Sequence, residues 1–188
     1  MPTAPDVVVR PARPDEAAEI AWLAALTFPL ACPPGTATTT MADHVAARLT
    51  PAHFARWAVS DHHVLLVARP VREPRDVAGY ALLVRGVPEG EEERDAVAAS
   101  AGAGPSVELS KIYVHPARQG DGTAGALMSA AIDAAARLLP QGALWLGTNG
   151  LNARAQAFYR RHGFTAVGTR TYDVGGVQHD DVVMLHTA

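Results

Sequence analysis

A strand, a glycine-bearing loop and a long amphipathic helix follow one another between Val107 and Leu139, and no other stretch narrows the choice of fold so far. Val107 to Val114 is apolar and β-branched enough to be a buried strand. His115-Pro116-Ala117-Arg118 then forms a loop. From about Gly122 to Leu139, the residues Leu127, Met128, Ala131, Ile132, Ala135 and Leu138 recur on one helical face. A strand that feeds a helix in this way predicts a layered α/β structure.

The rest of the chain extends that pattern. Val7 to Arg10 predicts an edge strand. Arg13-Pro14-Asp15 predicts a helix start, with Ala17, Ile20, Ala21, Ala24 and Ala25 on its apolar face and Pro29 at its end. Residues 29–40 read as a breaker-rich loop. A second helix is expected over Met41 to Trp57, with a break at Pro51 left open. Val64 to Ala68 and Val77 to Val84 predict strands. Residues 86–106 carry Glu89, Glu91, Glu92, Glu93 and Asp95 and then small residues, which predicts a solvated, flexible insertion. Its acidic run could attract a cationic substrate, but a solvated loop is the simpler reading. Leu144 to Leu146 predicts a strand. Asn152 is expected to cap a helix that ends at His162, with Gly163 left-handed. Phe164 to Val167 and Val182 to Leu185 would close the sheet. No repeat or linker divides the chain. Its 188 residues, 48% hydrophobic, suffice for a single domain over 1–188.

Composition removes several function classes. A formal net charge of -3 leaves no electrostatic footprint for nucleic acid. Lys111 is the only lysine, and the arginines are scattered. No segment has the uninterrupted apolar length of a membrane helix, and the N-terminus does not read as a signal peptide. The single cysteine, Cys32, predicts a reducing, cytoplasmic setting. It reads as a small buried hydrophobe rather than a nucleophile. His62-His63 and the pair His179 and His186 lack metal-ligand spacing, so no metal is expected. Those histidines remain candidates for lining an acceptor pocket. Whether the chain forms a homodimer is left open.

The strand at 107–114 changes phase. Val107 and Leu109 are odd, whereas Ile112 and Val114 are even, yet a clean strand has period two. A β-bulge near Ser110-Lys111 would account for the shift and would free backbone groups for an extended amide ligand. A regular strand with Lys111 or Tyr113 facing solvent is the other reading.

Gly120-x-Gly122-x-x-Gly125 formally matches a dinucleotide fingerprint, but five residues separate it from the strand. Residues 140–145 also hold no acid where a ribose partner would stand. The loop chemistry is independent of that motif. Small residues at a helix start expose N–H groups at the positive end of the helix dipole, which suits a pyrophosphate. Asp121 should then face water.

Read as Gln119-x-x-Gly122-x-Ala124, after Tyr113-Val114-His115-Pro116, the same segment resembles the coenzyme A loop of the GNAT superfamily of N-acetyltransferases. Asn152-Ala153-Arg154-Ala155-Gln156-Ala157-Phe158-Tyr159-Arg160-Arg161-His162-Gly163-Phe164 resembles that family's second motif. The resemblance implies a GNAT-like single-domain α/β fold: a mixed, mostly antiparallel twisted sheet flanked by helices and splayed at its central strands, 107–114 and 143–148. It implies acetyl-CoA as co-substrate, with a small-molecule or peptide amine as acceptor. Gln119, Gly120, Asp121, Gly122, Thr123, Ala124 and Gly125 would hold the pyrophosphate. The backbone of Ile112, Tyr113 and Val114 would hold the pantetheine arm. Asn152 would contact the cofactor or simply cap its helix. Tyr159 would protonate the departing thiolate or be a packed aromatic. Glu108 would be the general base, through water, or a surface carboxylate. Val167-Gly168, Tyr172, Val174-Gly175 and Asp181 to Met184 loosely resemble the polyamine-type branch, but Thr148-Asn149 stands where that branch carries Trp-Glu, so the polyamine substrate does not transfer. A non-catalytic acyl-CoA-binding regulatory module is the alternative function. A nucleotide-dependent oxidoreductase is disfavoured by the loop spacing.

Overall fold

The computed structural model describes residues 6–187 other than Pro33, Pro74, Gly175 and Gly176. Gly175 and the Tyr172 and Val174 side chains therefore lie outside the described part of the structure. The fold is α/β with a seven-stranded mixed sheet. Its contacts group into two compact units, Met1–Leu83 with Lys111–Ala134 and Val84–Ser110 with Ala135–Ala188.

In the first unit, β1 (Val7–Pro11) runs antiparallel to β2 (His63–Pro70), from Val7 opposite Pro70 to Pro11 opposite Leu66. β3 (Gly79–Gly86) and the second half of β4 (Ser106–Val114) follow in that order. The chain between β1 and β2 supplies α1 (Ala17–Ala31), α2 (Thr38–Arg48) and α3 (Pro51–Ala58). Ile20, Leu23, Phe54, Val67, Tyr80 and Leu127 are fully buried. Phe54 meets the Tyr80 ring edge-on at 5.5 Å, and Tyr80 leans on Tyr113 at 5.7 Å.

A buried ion network ties four segments of this unit together. The Glu16 carboxylate, in a 3-10 turn over Pro14–Glu16, accepts from Arg10 of β1 at 2.7 and 2.8 Å and from the Arg13 N–H at 2.8 Å. Arg69 of β2 donates to Glu16 at 2.9 Å and to Glu19 of α1 at 2.7 Å. Hydrogen bonds from Arg10 hold the Glu16 carboxyl down at about 2 against the cost of its burial. A carboxyl depressed on folding stabilises the fold above its unfolded value and loses that stabilisation as pH falls toward the folded value. Glu16 should therefore contribute ~3 kcal/mol at neutral pH, lost between roughly pH 4.5 and 2. Urea titrations of the wild type and Glu16→Gln should show that gap at pH 7, narrowing as the solution is acidified; a gap independent of pH would refute the assignment.

In the second unit, the first half of β4 pairs in parallel with β5 (Leu144–Asn149) at Val107–Leu144 and Glu108–Trp145. β5 is antiparallel to β7 (Val177–His186), and β7 to β6 (Phe164–Val174), with a register shift between Ala166 and Gly168. Val97, Trp145, Val183 and Leu185 form its buried cluster. α6 (Ala153–Arg161) starts at Asn152, whose side chain accepts from the Ala155 N–H at 3.0 Å, and is followed by left-handed Gly163 at φ +84°. α5 (Thr123–Leu138) contributes residues to both units.

Several sequence expectations need correction. Pro29 does not end α1, which continues to Ala31. A proline so near the C-terminus removes one hydrogen bond from the last turns only. The loop expected over 29–40 gives way to α2 at Thr38. The break left open at Pro51 is present, and the helix over Met41 to Trp57 is two helices. Thr50 accepts from the His53 N–H and caps α3, and Pro51 takes the first-turn position that needs no N–H. The stretch 86–106 is not only loop: it holds α4 (Glu91–Ala101). There the Glu93 carboxylate accepts from the Gly90 N–H at 3.0 Å, Val97 is buried, and Glu92 accepts from the Thr171 N–H. Two of the acidic residues, Glu92 and Glu93, tie α4 to β6, the second through Arg170 at 3.7 Å.

Candidate functional site

The first unit contains the glycine loop. Gly120 and Gly122 sit at φ +91° and +93°, a region that favours glycine. The exposed Asp121 carboxylate accepts from the Thr123 N–H at 2.9 Å, and the Gly122 carbonyl accepts from Ala126. Asp121 thus faces outward, as expected, and also takes one donor of the first turn. The N–H groups of Gly120, Asp121, Gly122, Ala124 and Gly125 bond to nothing among the described residues. Thr123 is fully buried, and its hydroxyl has no partner among the described residues. Small residues, free donors and one orphaned buried hydroxyl make a cradle whose chemistry fits a pyrophosphate. Gln119 is exposed.

The loop is approached from β4. Ile112, Tyr113 and Val114 are all half-buried, although a strand buried on one side alternates. The loop from β4 also borders a cleft of about 630 Å³, lined by Glu19, Trp22, Asp76, His115 and Arg118 among others. Trp22 stacks on His115 at 6.0 Å, and Arg118 is paired with Glu73 at 3.0 Å.

A second feature of this unit went unseen in the sequence. Lys111 Nζ lies over the Trp57 ring at 5.4 Å. His53 and His63 flank the same ring at 5.7 and 6.3 Å. These residues are 48 to 58 positions from Lys111 in the chain, beyond the reach of any local pattern; the local clues were that Lys111 is the only lysine and that His63 was a candidate for lining an acceptor pocket.

The second unit holds the other expected site residues. Glu108 is half-buried on β4. Asn152 caps α6, so the capping reading holds whatever else it does. Tyr159 packs between Phe158 and Phe164 at 5.6 and 6.0 Å. Burial pushes its phenol up to about 12, so it stays protonated across the working pH range. Its hydroxyl bonds to no described residue. Among the described residues, no group of three or more His, Cys, Asp or Glu side chains could hold a metal ion. Among the described residues, no helix is long and apolar enough to cross a membrane.

A family model described as the acetyltransferase (GNAT) family matches residues 27–164. An uncharacterised N-acetyltransferase of Mycobacterium tuberculosis is 41% identical over 172 residues, 90% of this chain and 96% of the relative. An uncharacterised N-acetyltransferase of Mycobacterium bovis is similar to the same degree, 41% over 172 residues, with the same 90% and 96% coverage. Among solved structures, Arabidopsis thaliana NAA60 in complex with a bisubstrate analogue has a TM-score of 0.70 at 17% identity, covering 95% of this chain and 96% of its own. The PaiA N-acetyltransferase of Thermoplasma acidophilum, in complex with coenzyme A, has a TM-score of 0.70 at 13% identity, covering 97% and 99%.

Proposed function

The chain belongs to the GNAT family of acetyltransferases, with acetyl-CoA as its co-substrate, and on that premise we propose that it moves the acetyl group directly to an amine of a small molecule or peptide. The observation that carries the assignment is the loop at 119–125, with two left-handed glycines, free donors and the orphaned Thr123 hydroxyl. Bound acetyl-CoA supplies an activated acyl group as a thioester.

The residues of the chain then have distinct tasks. The free amides within residues 119–125, those of Gly120, Asp121, Gly122, Ala124 and Gly125, neutralise the pyrophosphate at the positive end of α5. Backbone N–H groups of Ile112 and Val114, on the edge opposite the His115 N–H that donates to Ala78, hold the pantetheine arm and polarise the thioester carbonyl, with Tyr113 between them. An alkyl ammonium with a pKa of about 10.4 is free base in only about one molecule in a thousand at neutral pH. Glu108 takes that proton, through water. Asn152 supports the cofactor from the cap of α6. Tyr159 gives its proton to sulfur as charge builds there. A thiol is a stronger acid than a phenol, so this transfer is uphill at equilibrium; it draws on the charge building on sulfur, for which a well-placed hydrogen bond from the phenol suffices. Burial keeps the Tyr159 phenol protonated and so able to donate.

The lone Cys32 supports a cytoplasmic setting. Isothermal titration tests the cofactor assignment: acetyl-CoA should bind at one site and NAD should not. Binding of NAD with no response to acetyl-CoA would return the glycine loop to the dinucleotide reading. Glu108→Gln should lower kcat/KM by about 10²-fold or more at neutral pH, with recovery at high pH where the free amine dominates. An unchanged pH profile would remove Glu108 as base.

A further inference from the structure

On the acetyl-transfer reading above, we propose that Lys111, Trp57, His53 and His63 form the acceptor-binding surface of the first unit, and that it selects amines carrying a carboxylate or phosphate group.

Lys111 directly precedes Ile112, the first residue assigned to the pantetheine arm, so its side chain is rooted beside the reacting end of the cofactor. Alternation along the strand puts Lys111 on the same face as Tyr113. On that face Tyr113 meets Tyr80, Tyr80 meets Phe54, and Phe54 meets Trp57 edge-on at 5.0 Å. Lys111 lies over Trp57 and completes the row. Lys111, Trp57, His53 and His63 are each half-buried, so the surface is shaped but open to a ligand.

The histidines are arranged as donors. The Thr50 hydroxyl accepts from the His53 N–H and lies 2.8 Å from His53 Nδ1. The Ser60 hydroxyl accepts from the His62 N–H and lies 2.8 Å from His63 Nδ1. A hydroxyl that accepts from the backbone and gives its own proton to Nδ1 leaves the ring proton on Nε2. In that tautomer both imidazoles present an Nε2–H. The charged groups that shift the neighbouring imidazoles are cationic. Burial lowers the pKa of His44, His53 and His63, and Lys111 lowers each further, with Arg48 acting on His44 and His53 and Arg56 on His53. A surface of ammonium, neutral N–H donors and cationic neighbours is poor ground for a polycation and good ground for an anion. The same field lowers the pKa of an incoming ammonium, as it does those of the imidazoles, and so raises the fraction of free amine.

Paired acceptors test this. kcat/KM is measured for α-amino acids against their decarboxylated amines, phenylalanine with phenethylamine and tryptophan with tryptamine among them. O-phosphoethanolamine against ethanolamine forms the phosphate arm, and spermidine is included. The anionic member should be preferred by about 10- to 100-fold in one arm, the value expected of a charge-assisted contact, and the preference should lie in KM. Lys111→Met should bring the ratio toward one, and Lys111→Arg should restore part of it. The arm that responds identifies carboxylate or phosphate. Equal use of both members, preference for spermidine, or a ratio unaltered in Lys111→Met would overturn the inference while leaving acetyl transfer intact. Failure of every amine as an acceptor, with acetyl-CoA still bound, would overturn the acetyl-transfer reading itself, and this one with it.

Discussion

Tyr159→Phe should lower kcat by about 10²–10⁴-fold, or roughly 3–5 kcal/mol of barrier, the usual worth of a general acid. The substitution keeps the ring between Phe158 and Phe164 and removes one oxygen. That oxygen bonds to no described residue, so the melting temperature should hardly move. Affinity for acetyl-CoA should be little changed for the same reason. Because burial holds the phenol at about 12, Tyr159 should add no alkaline limb to the wild-type rate profile below about pH 10. A loss confined to KM would make Tyr159 a positioning group. Full activity in the variant would leave it a packed aromatic.

Gly122→Glu should weaken acetyl-CoA binding by about 10³-fold or more, some 4 kcal/mol. Two physical costs combine. A side chain at φ +93° is strained, and a carboxylate beside the free N–H groups competes with the phosphates it would repel. Gly122→Ala shares the strain without the charge and should lose distinctly less. Calorimetric titration of both variants, with circular dichroism to verify folding, separates the two. Equal affinity in a folded Gly122→Glu protein would move the pyrophosphate away from this loop.

What the sequence made legible was local. The strand, glycine loop and helix from Val107 to Leu138 follow from periodicity and breakers, and the Asn152 cap and left-handed Gly163 from end chemistry. α4 was missed because its run of acids outweighs the little apolar surface it buries, chiefly Val97. Its capping carboxylate, Glu93, sits three residues after Gly90, which is the pattern that could have found it. The ion network from Arg10 through Glu16 to Arg69 joins Glu16 to a residue 53 positions away, and no local rule pairs such residues. The same holds for Lys111 and its aromatic neighbours. The motif-borne positions could be named from the sequence, whereas those recognising the acceptor depend on how the chain returns on itself.

The most direct test of the central claim is a stoichiometry. With wild-type protein, acetyl-CoA and an accepted amine, free thiol and acetylated amine are counted in the same reaction, the first by a thiol reagent and the second by mass. Direct transfer predicts one acetylated amine for each thiol released, with release dependent on the amine. Thiol released without acetylated amine, or acetyl-CoA bound with no transfer to any amine, would contradict the account.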